Sequence, residues 1–457
     1  MIVMKFGGTS VEDAPSIERV AEIIRARLHL KPVVVVSAMG KTTSKLLKAA
    51  EASAAGDART TLGIVADLKT RHTSEARRLV DGSEGHEVFA RIDKHFDELK
   101  KLLEGLAILG EVPPRGLDKI LAYGELLSSA VLTDALSQRG IPALLLDSRE
   151  LIKTDDRYGA ASPLEQLTAQ RINEAVSPLI ERGAVPVMQG FIGSSRDGAT
   201  TTLGFEGSDY TATIVGAALD AEDIQVWKDV SGLMTADPAI FAGARTVKLC
   251  SFAEAADLTH FGAKVLHPKS IYPAARKNIC VHIYNSRKPS ATGTTITSSA
   301  PPCANPIKSI AYKRPVAIVK ATAAAGSDMM GALQGVLAKR RIEPVLTSAS
   351  ASNVVVALDS RDLRHGGRDL IEALSSYGAA SVEPGWAVVS LVGAGLETDR
   401  SVTTRIFNAI RDVDLKLIVH GSSPLAVSIV VAEADVEQVV AKLHREFFEQ
   451  IDPAIFE

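Results

Sequence analysis

The chain has 457 residues, of which 46% are hydrophobic and 23% charged, and its formal net charge is −3. That length predicts two or three domains, the composition excludes a largely disordered chain, and 51 Lys+Arg against 54 Asp+Glu without a long basic run argues against a nucleic-acid partner. Nor is a membrane partner or span predicted, because no stretch of about 18 uninterrupted apolar residues occurs. Met1 to Lys5 lacks the charged and then apolar plan of a signal peptide, and Cys250, Cys280 and Cys303 have no CxxC spacing. A zinc site or disulfide framework is therefore not expected, and a reducing cytoplasm fits best.

The first 300 residues alternate strand and helix signals. After Asp13 and Pro15, both good helix starters, apolar Ile17, Val20, Ala21, Ile24 and Leu28 recur at three- and four-residue spacing. The β-branched run from Val33 to Val36 suits a strand buried on both faces. A helix is predicted over Gly124 to Arg139, and strands over Ala143 to Leu146, Val185 to Met188 and Ile224 to Trp227. This rhythm points to a largely parallel sheet covered by helices on both faces. Residues 286–306 carry turn and linker residues. Beyond them, two stretches of about 70 residues each read as βαββαβ. The first runs through Val316 to Val319, a helix from Met329 to Arg340, and Val354 to Ala357. The second runs through Ala387 to Val392, a helix from Val402 to Ile410, Ala426 to Val431, and a helix from Val436 to Phe448. Two matching units beside a catalytic-looking half suggest a regulatory module.

Three stretches suit phosphate handling. Lys5-Phe6-Gly7-Gly8-Thr9-Ser10 lies between an apolar start and a helix, where glycines let backbone N–H groups approach anionic oxygens and the helix start adds partial positive charge. Taken alone, this motif also reads as a tight turn with a surface lysine. Gly40-Lys41-Thr42 invites comparison with a phosphate-binding P-loop, but Val35 stands where that pattern needs its first glycine, so the comparison is rejected. The turn from Ser37 to Thr43 can still bind a substrate through its N–H groups and threonine hydroxyls. The densest stretch, Gln189 to Pro268, holds Gly207-Ser208-Asp209-Tyr210-Thr211-Ala212, then Lys228-Asp229-Val230-Ser231-Gly232 with Thr235-Ala236-Asp237-Pro238, then Phe261 to Pro268. Within it, Asp237-Pro238 also reads as a simple turn start, and His267 suits local structure better than a metal.

Taken in order, five motifs resemble the aspartate kinase family across essentially the whole chain. They are the Lys5 to Ser10 opening, Gly124-Glu125, the Gly207 to Ala212 run, the Asp229 to Pro238 run and Phe261 to Pro268. Gly421-Ser422-Ser423 and Ala441 to His444 resemble that family's second ACT unit. The resemblance implies an amino acid kinase fold over 1–300, followed by ferredoxin-like ACT domains over 312–384 and 385–457. It also implies that MgATP phosphorylates the side-chain carboxylate of L-aspartate to 4-phospho-L-aspartate, at the start of lysine, threonine and methionine synthesis. Lys5 and Asp209 match catalytic positions. Lys5, Gly7, Gly8, Ser10, Lys228, Asp229, Met234 and Lys264 match ATP-binding ones. Thr43, Glu125 and Ser208 match positions that hold the amino acid. No protein ligand to a metal is implied, since Mg²⁺ arrives with ATP. A homodimer or larger assembly is expected, with lysine or threonine as effector at the ACT domains.

Two departures keep alternatives open. The family pattern Gly-Arg-x-Gly-Ser-Asp reads Gly204-Phe205-Glu206-Gly207-Ser208-Asp209 here, so the arginine that pairs with a substrate carboxylate is missing and Glu206 adds a negative charge. Either Lys41, Arg157 or Arg196 takes over, or the substrate is another carboxylate. Val345 stands where lysine-responsive relatives carry an acid, with Asp328 and Glu343 as substitutes, so lysine, threonine and no effector all stay open. A catalytically inactive amino-acid-sensing regulator is the remaining alternative.

Overall fold

The structure, a computed structural model, describes residues 1–80, 85–204, 206–263, 266, 268–301, 303–340, 342–363 and 367–457. Phe205, Lys264 and His267 lie outside the described residues. The chain divides into two compact units, Met1–Gly232 with Lys269–Ser298, and Leu233–Pro268 with Ser299–Glu457. Among the described residues, no helix is long and apolar enough to cross a membrane.

The first unit is built on strand Ile2–Phe6, which pairs in parallel with Pro32–Val36 on one side and Asp223–Lys228 on the other. The strands run in the order Ala143–Leu146, Val185–Gln189, Pro32–Val36, Ile2–Phe6, Asp223–Lys228, Cys280–Asn285 and Thr294–Thr297, with the last antiparallel. Val33 to Val36 are fully buried, as a parallel strand covered on both faces requires. Helix Ala14–Arg25 starts where Asp13 accepts a hydrogen bond from the Ser16 amide, and it buries Ile17, Val20, Ala21 and Ile24. Each of the Ile and Val side chains contributes roughly 1.5–3 kcal/mol on burial. The expected helix over 124–139 is Tyr123–Gln138. The linker expected at 286–306 contains a strand instead. Gly293 turns the chain at φ +72°, and Thr294 and Ile296 point inward while Thr295 and Thr297 are partly exposed, a period-two pattern with one apolar residue.

In the second unit, Ser309–Ala323 and Gly378–Val392 are long antiparallel strands paired along nearly their whole length. The six-stranded sheet runs Leu346–Ala349, Asn353–Asp359, Ser309–Ala323, Gly378–Val392, Ala426–Ala432, Leu417–Ser423. Residues 316–323 pair with 353–359 and 378–383, which gives one four-stranded motif carrying helices Met329–Arg340 and Gly367–Leu374. Residues 386–392 pair with 426–432 and with 309–313, which gives a second motif carrying Ser401–Ala409 and Val436–Phe448. The last strand of the second motif is therefore the first in sequence, and the first motif is inserted within the second.

Leu233–Pro268, read from sequence as part of 1–300, is bonded into this unit. Ile310 N donates to Thr235 O at 2.8 Å, and Thr246 and Glu457 exchange backbone hydrogen bonds. Helix Phe252–His260 starts with a Ser251–Glu254 capping box, and the other oxygen of Glu254 accepts from Ala394 N at 3.1 Å. Val345 is buried, Asp328 accepts from the Gly331 amide at its helix start, and Glu343 is exposed.

Candidate active site

Lys5 and Lys228 leave the carboxyl ends of adjacent parallel strands, the edge where open α/β sheets bind ligands. Between them stands Asp209, in the first turn of helix Gly207–Ala218. Lys5 Nζ lies 2.5 Å from Asp209 Oδ1 and Lys228 Nζ lies 2.8 Å from Oδ2, so each oxygen of one carboxylate faces a different lysine. Glu206 Oε1 is 4.0 Å from Lys228 Nζ. Asp209 is 2% exposed at its side chain and Lys5 6%. Burial pushes the Asp209 carboxyl up, but Lys228 and Lys5 outweigh it and hold the group below its ordinary range. Burial lowers the Lys5 ammonium, and Asp209 only partly offsets that because Lys228 repels it. Lys228 is also penalised by burial, yet Asp209 and Glu206 together raise it. Of the two lysines, Lys5 is thus the one whose charged form its surroundings disfavour, while Lys228 and the Asp209 carboxylate are favoured in theirs.

Two backbone turns meet beneath the lysines. Gly7 N donates to Trp227 O at 2.9 Å, and Gly40 N donates to Gly8 O at 2.9 Å. A Cβ on Gly8 would sit 2.8 Å from Ala38 O, so only glycine permits the approach. The Ser10 hydroxyl is 2.8 Å from that of Ser286 and donates to Trp227 O, which ties the first turn to the ends of two strands. The guanidinium of Arg71 covers Gly40 and donates to Glu12 O at 2.8 Å.

Glu125 enters from the first turn of helix Tyr123–Gln138. Its Oε1 accepts from Ala38 N at 3.3 Å, while Oε2 has no hydrogen-bond partner among the described residues. Burial pushes this carboxyl up to about 8. Gly124 lets the helix press on the Ser37–Thr43 turn, since a Cβ there would meet Ala38 Cβ at 2.8 Å and Thr43 Oγ1 at 3.6 Å. A Cβ on Gly190 would collide with Ser208 Cβ at 2.5 Å, so Gly190 admits Ser208 to the site.

The structure thus brings Lys5 and Lys228 together on the Asp209 carboxylate, with Gly7 and Gly8 on the turn after Lys5, Ser208 beside Asp209 in its helix, and Thr43 and Glu125 on a neighbouring turn and helix. Asp229 is exposed just past its strand. Met234 belongs to the second unit, where its carbonyl accepts from Ser309 Oγ at 2.6 Å. Lys264, like Phe205, is outside the described residues. Of the cations considered in place of the missing arginine, Lys41, Arg157 and Arg196 are exposed, and Arg157 is engaged with Asp155 and Ser162.

Asp118 was missed. Buried in helix Pro114–Leu121, it accepts from Gly159 N at 3.0 Å, Thr202 N at 2.8 Å and Thr202 Oγ1 at 2.8 Å, and so fixes the strand that leads into Gly204. Its partners lie 41 and 84 residues away, beyond any local pattern. Gly190 could have been noticed beside Gln189, but its contact with Ser208 has no sequence signature.

The sequence pattern of the amino acid kinase family matches residues 1–285, and that of the ACT domain matches residues 389–447. Aspartokinase 2, chloroplastic, of Arabidopsis thaliana is 35% identical over 98% of this chain and 84% of its own length. Lysine-sensitive aspartokinase 3 of Escherichia coli strain K12 is 31% identical over 98% and 99%. The crystal structure of E. coli aspartokinase III in complex with aspartate and ADP superposes with a TM-score of 0.88 at 30% identity, covering 98% of this chain and all of that one. The same enzyme with lysine and aspartate gives 0.80 over 98% and 99%. With a lysine–carboxylate–lysine cluster at the sheet edge and relatives matched along nearly its entire length, the chain belongs to the amino acid kinase family, among its ACT-bearing aspartokinases.

Proposed function

We propose that this aspartokinase transfers the γ-phosphoryl group of MgATP to the side-chain carboxylate of L-aspartate, giving 4-phospho-L-aspartate and ADP. A carboxylate oxygen attacks phosphorus, the bond from phosphorus to the ADP oxygen breaks, and no proton moves because the acceptor is ionised at neutral pH. The obstacle is repulsion between anions. The observation that carries the reading is the pair of lysines, Lys5 buried and Lys228 partly buried, on one buried carboxylate. It presents two ammonium groups at the strand ends, where negative charge develops on the transferring group.

In this reading Lys5 stabilises the transferring group and Asp209 orients both lysines. Gly7, Gly8 and Ser10 shape the phosphate turn. Lys228, Asp229, Met234 and Lys264 serve the nucleotide, and Mg²⁺ comes with ATP and neutralises phosphate charge. Ser208 and Thr43 position the amino acid, and the unpartnered oxygen of Glu125 suits its ammonium group. The first unit supplies the core of the chemistry, while the two interleaved ACT-like motifs of residues 309–457 form an amino-acid-sensing module of a cytoplasmic homodimer, with lysine or threonine as effector. Support for an effector comes from the E. coli relative whose structure is described with lysine.

The test is ATP turnover with L-aspartate, trapping the acyl phosphate with hydroxylamine, with lysine and threonine added separately. Aspartyl hydroxamate is the expected product, and inhibition by one amino acid identifies the effector. Lys5→Ala lowers turnover by roughly 10²–10³, the scale of one preorganised charge. No hydroxamate from a protein that still binds MgATP would overturn the substrate assignment.

A further inference from the structure

Glu206 is the feature of the site that the proposed chemistry leaves unexplained. It sits at the start of helix Gly207–Ala218 with φ +53°, a left-handed backbone that glycine adopts at less cost than glutamate. Its side chain is only 18% exposed, and its carboxylate is aimed at Lys228 Nζ, 4.0 Å away. Asp209 alone already supplies the counter-charge for one lysine. Among the described residues, Asp209 and Glu206 set two negative charges against those of Lys5 and Lys228, and these four groups sum to zero. A neutral cluster is a poor trap for a polyanion, and a carboxylate beside a phosphate is repelled by it.

We propose that Glu206 is a built-in competitor of the nucleotide phosphates for Lys228. The inference rests on the placement of Lys228 at the nucleotide. The carboxylate holds the long lysine side chain at the strand edge, in line with Asp209, so little rotamer freedom remains to be lost when phosphate binds. In exchange it lowers affinity for every anionic nucleotide, ADP as well as ATP, which weakens product retention. Asp209, on the other oxygen side of Lys228, stays in place throughout, because its two ion pairs anchor both lysines. Glu206 is thus an affinity-setting residue and takes no part in bond making.

The experiment measures KM for MgATP, the dissociation constant of MgADP and kcat in the full-length protein, comparing the parent with Glu206→Gln, Lys228→Thr and the double variant. Glu206→Gln keeps the side-chain size and backbone demand while removing the charge. It is expected to tighten MgADP and lower the KM for MgATP by about tenfold, as for removal of one like charge near a bound anion. In the Lys228→Thr background the same change is expected to have an effect smaller than twofold, because the contested cation is gone. Unchanged or weaker nucleotide binding in Glu206→Gln, or equal tightening with and without Lys228, overturns the proposal. If Lys228→Thr alone leaves nucleotide binding and kcat untouched, what fails is the placement of Lys228 at the nucleotide, a result distinguishable from failure of the competition itself.

Discussion

The pH dependence of aspartate use follows from Glu125. Its carboxyl is buried, one oxygen lacks a hydrogen-bond partner, and its pKa is about 8 against an ordinary 4.5. At pH 7 only about one site in ten carries the charge that an ammonium group needs. Binding aspartate through its ammonium therefore requires release of a proton below pH 8, and kcat/KM for aspartate falls by roughly tenfold per pH unit there. Between the plateau and pH 6.5 the drop is about thirtyfold. The assay is hydroxamate formation at saturating MgATP from pH 6 to 9, varying aspartate. Glu125→Gln removes the ionisation, so its profile is expected to be flat and its kcat/KM lower by about 10²–10³, the cost of leaving a buried ammonium unpaired. A wild-type profile without that slope, or a full slope retained in Glu125→Gln, refutes the reasoning. The stability consequence has the opposite sense. The folded pKa is raised, so the unfolded chain ionises first, and stability is lost as pH rises from about 4.5 through about 8.

Other perturbations test the surrounding framework. Gly190→Ala drives a Cβ against Ser208 Cβ and its backbone, so kcat/KM is expected to fall by about 10²-fold while thermal unfolding shifts by only a few degrees, measured by parallel kinetics and calorimetry. Asp118→Ala orphans the amides of Gly159 and Thr202 and is expected to cost about 2–4 kcal/mol in urea unfolding, which an unchanged midpoint would contradict. His72 is fully buried, and burial lowers its ring to about 4. The unfolded state therefore takes up a proton first, and stability is lost as pH falls from about 6.5 through about 4. His72→Gln is expected to flatten that part of the stability curve.

Much of the fold was legible because its signals are local. Val33 to Val36 suits a strand covered on both faces, the Asp13 cap and the spacing of Ile17, Val20, Ala21 and Ile24 announce a helix, and Gly124-Glu125 sits at a helix start as expected, whereas Gly207-Ser208-Asp209 turns out to lie inside the first turn of its helix. Strand Thr294–Thr297 escaped because threonines beside a glycine look like a turn until Ile296 finds a core. The sequence alone determined which residue types are available for phosphate chemistry and in what order. Tertiary structure decided which of them meet. It set Lys228 opposite Lys5 on Asp209, although their strands are more than 200 residues apart in sequence, because parallel strands joined by crossovers bring distant carboxyl ends to one edge. It also made 309–313 the closing strand of a motif whose other strands begin at 386, since sheet pairing depends on register and not on chain order. The charge state of Glu125 is likewise a property of burial, which no spacing of residues encodes.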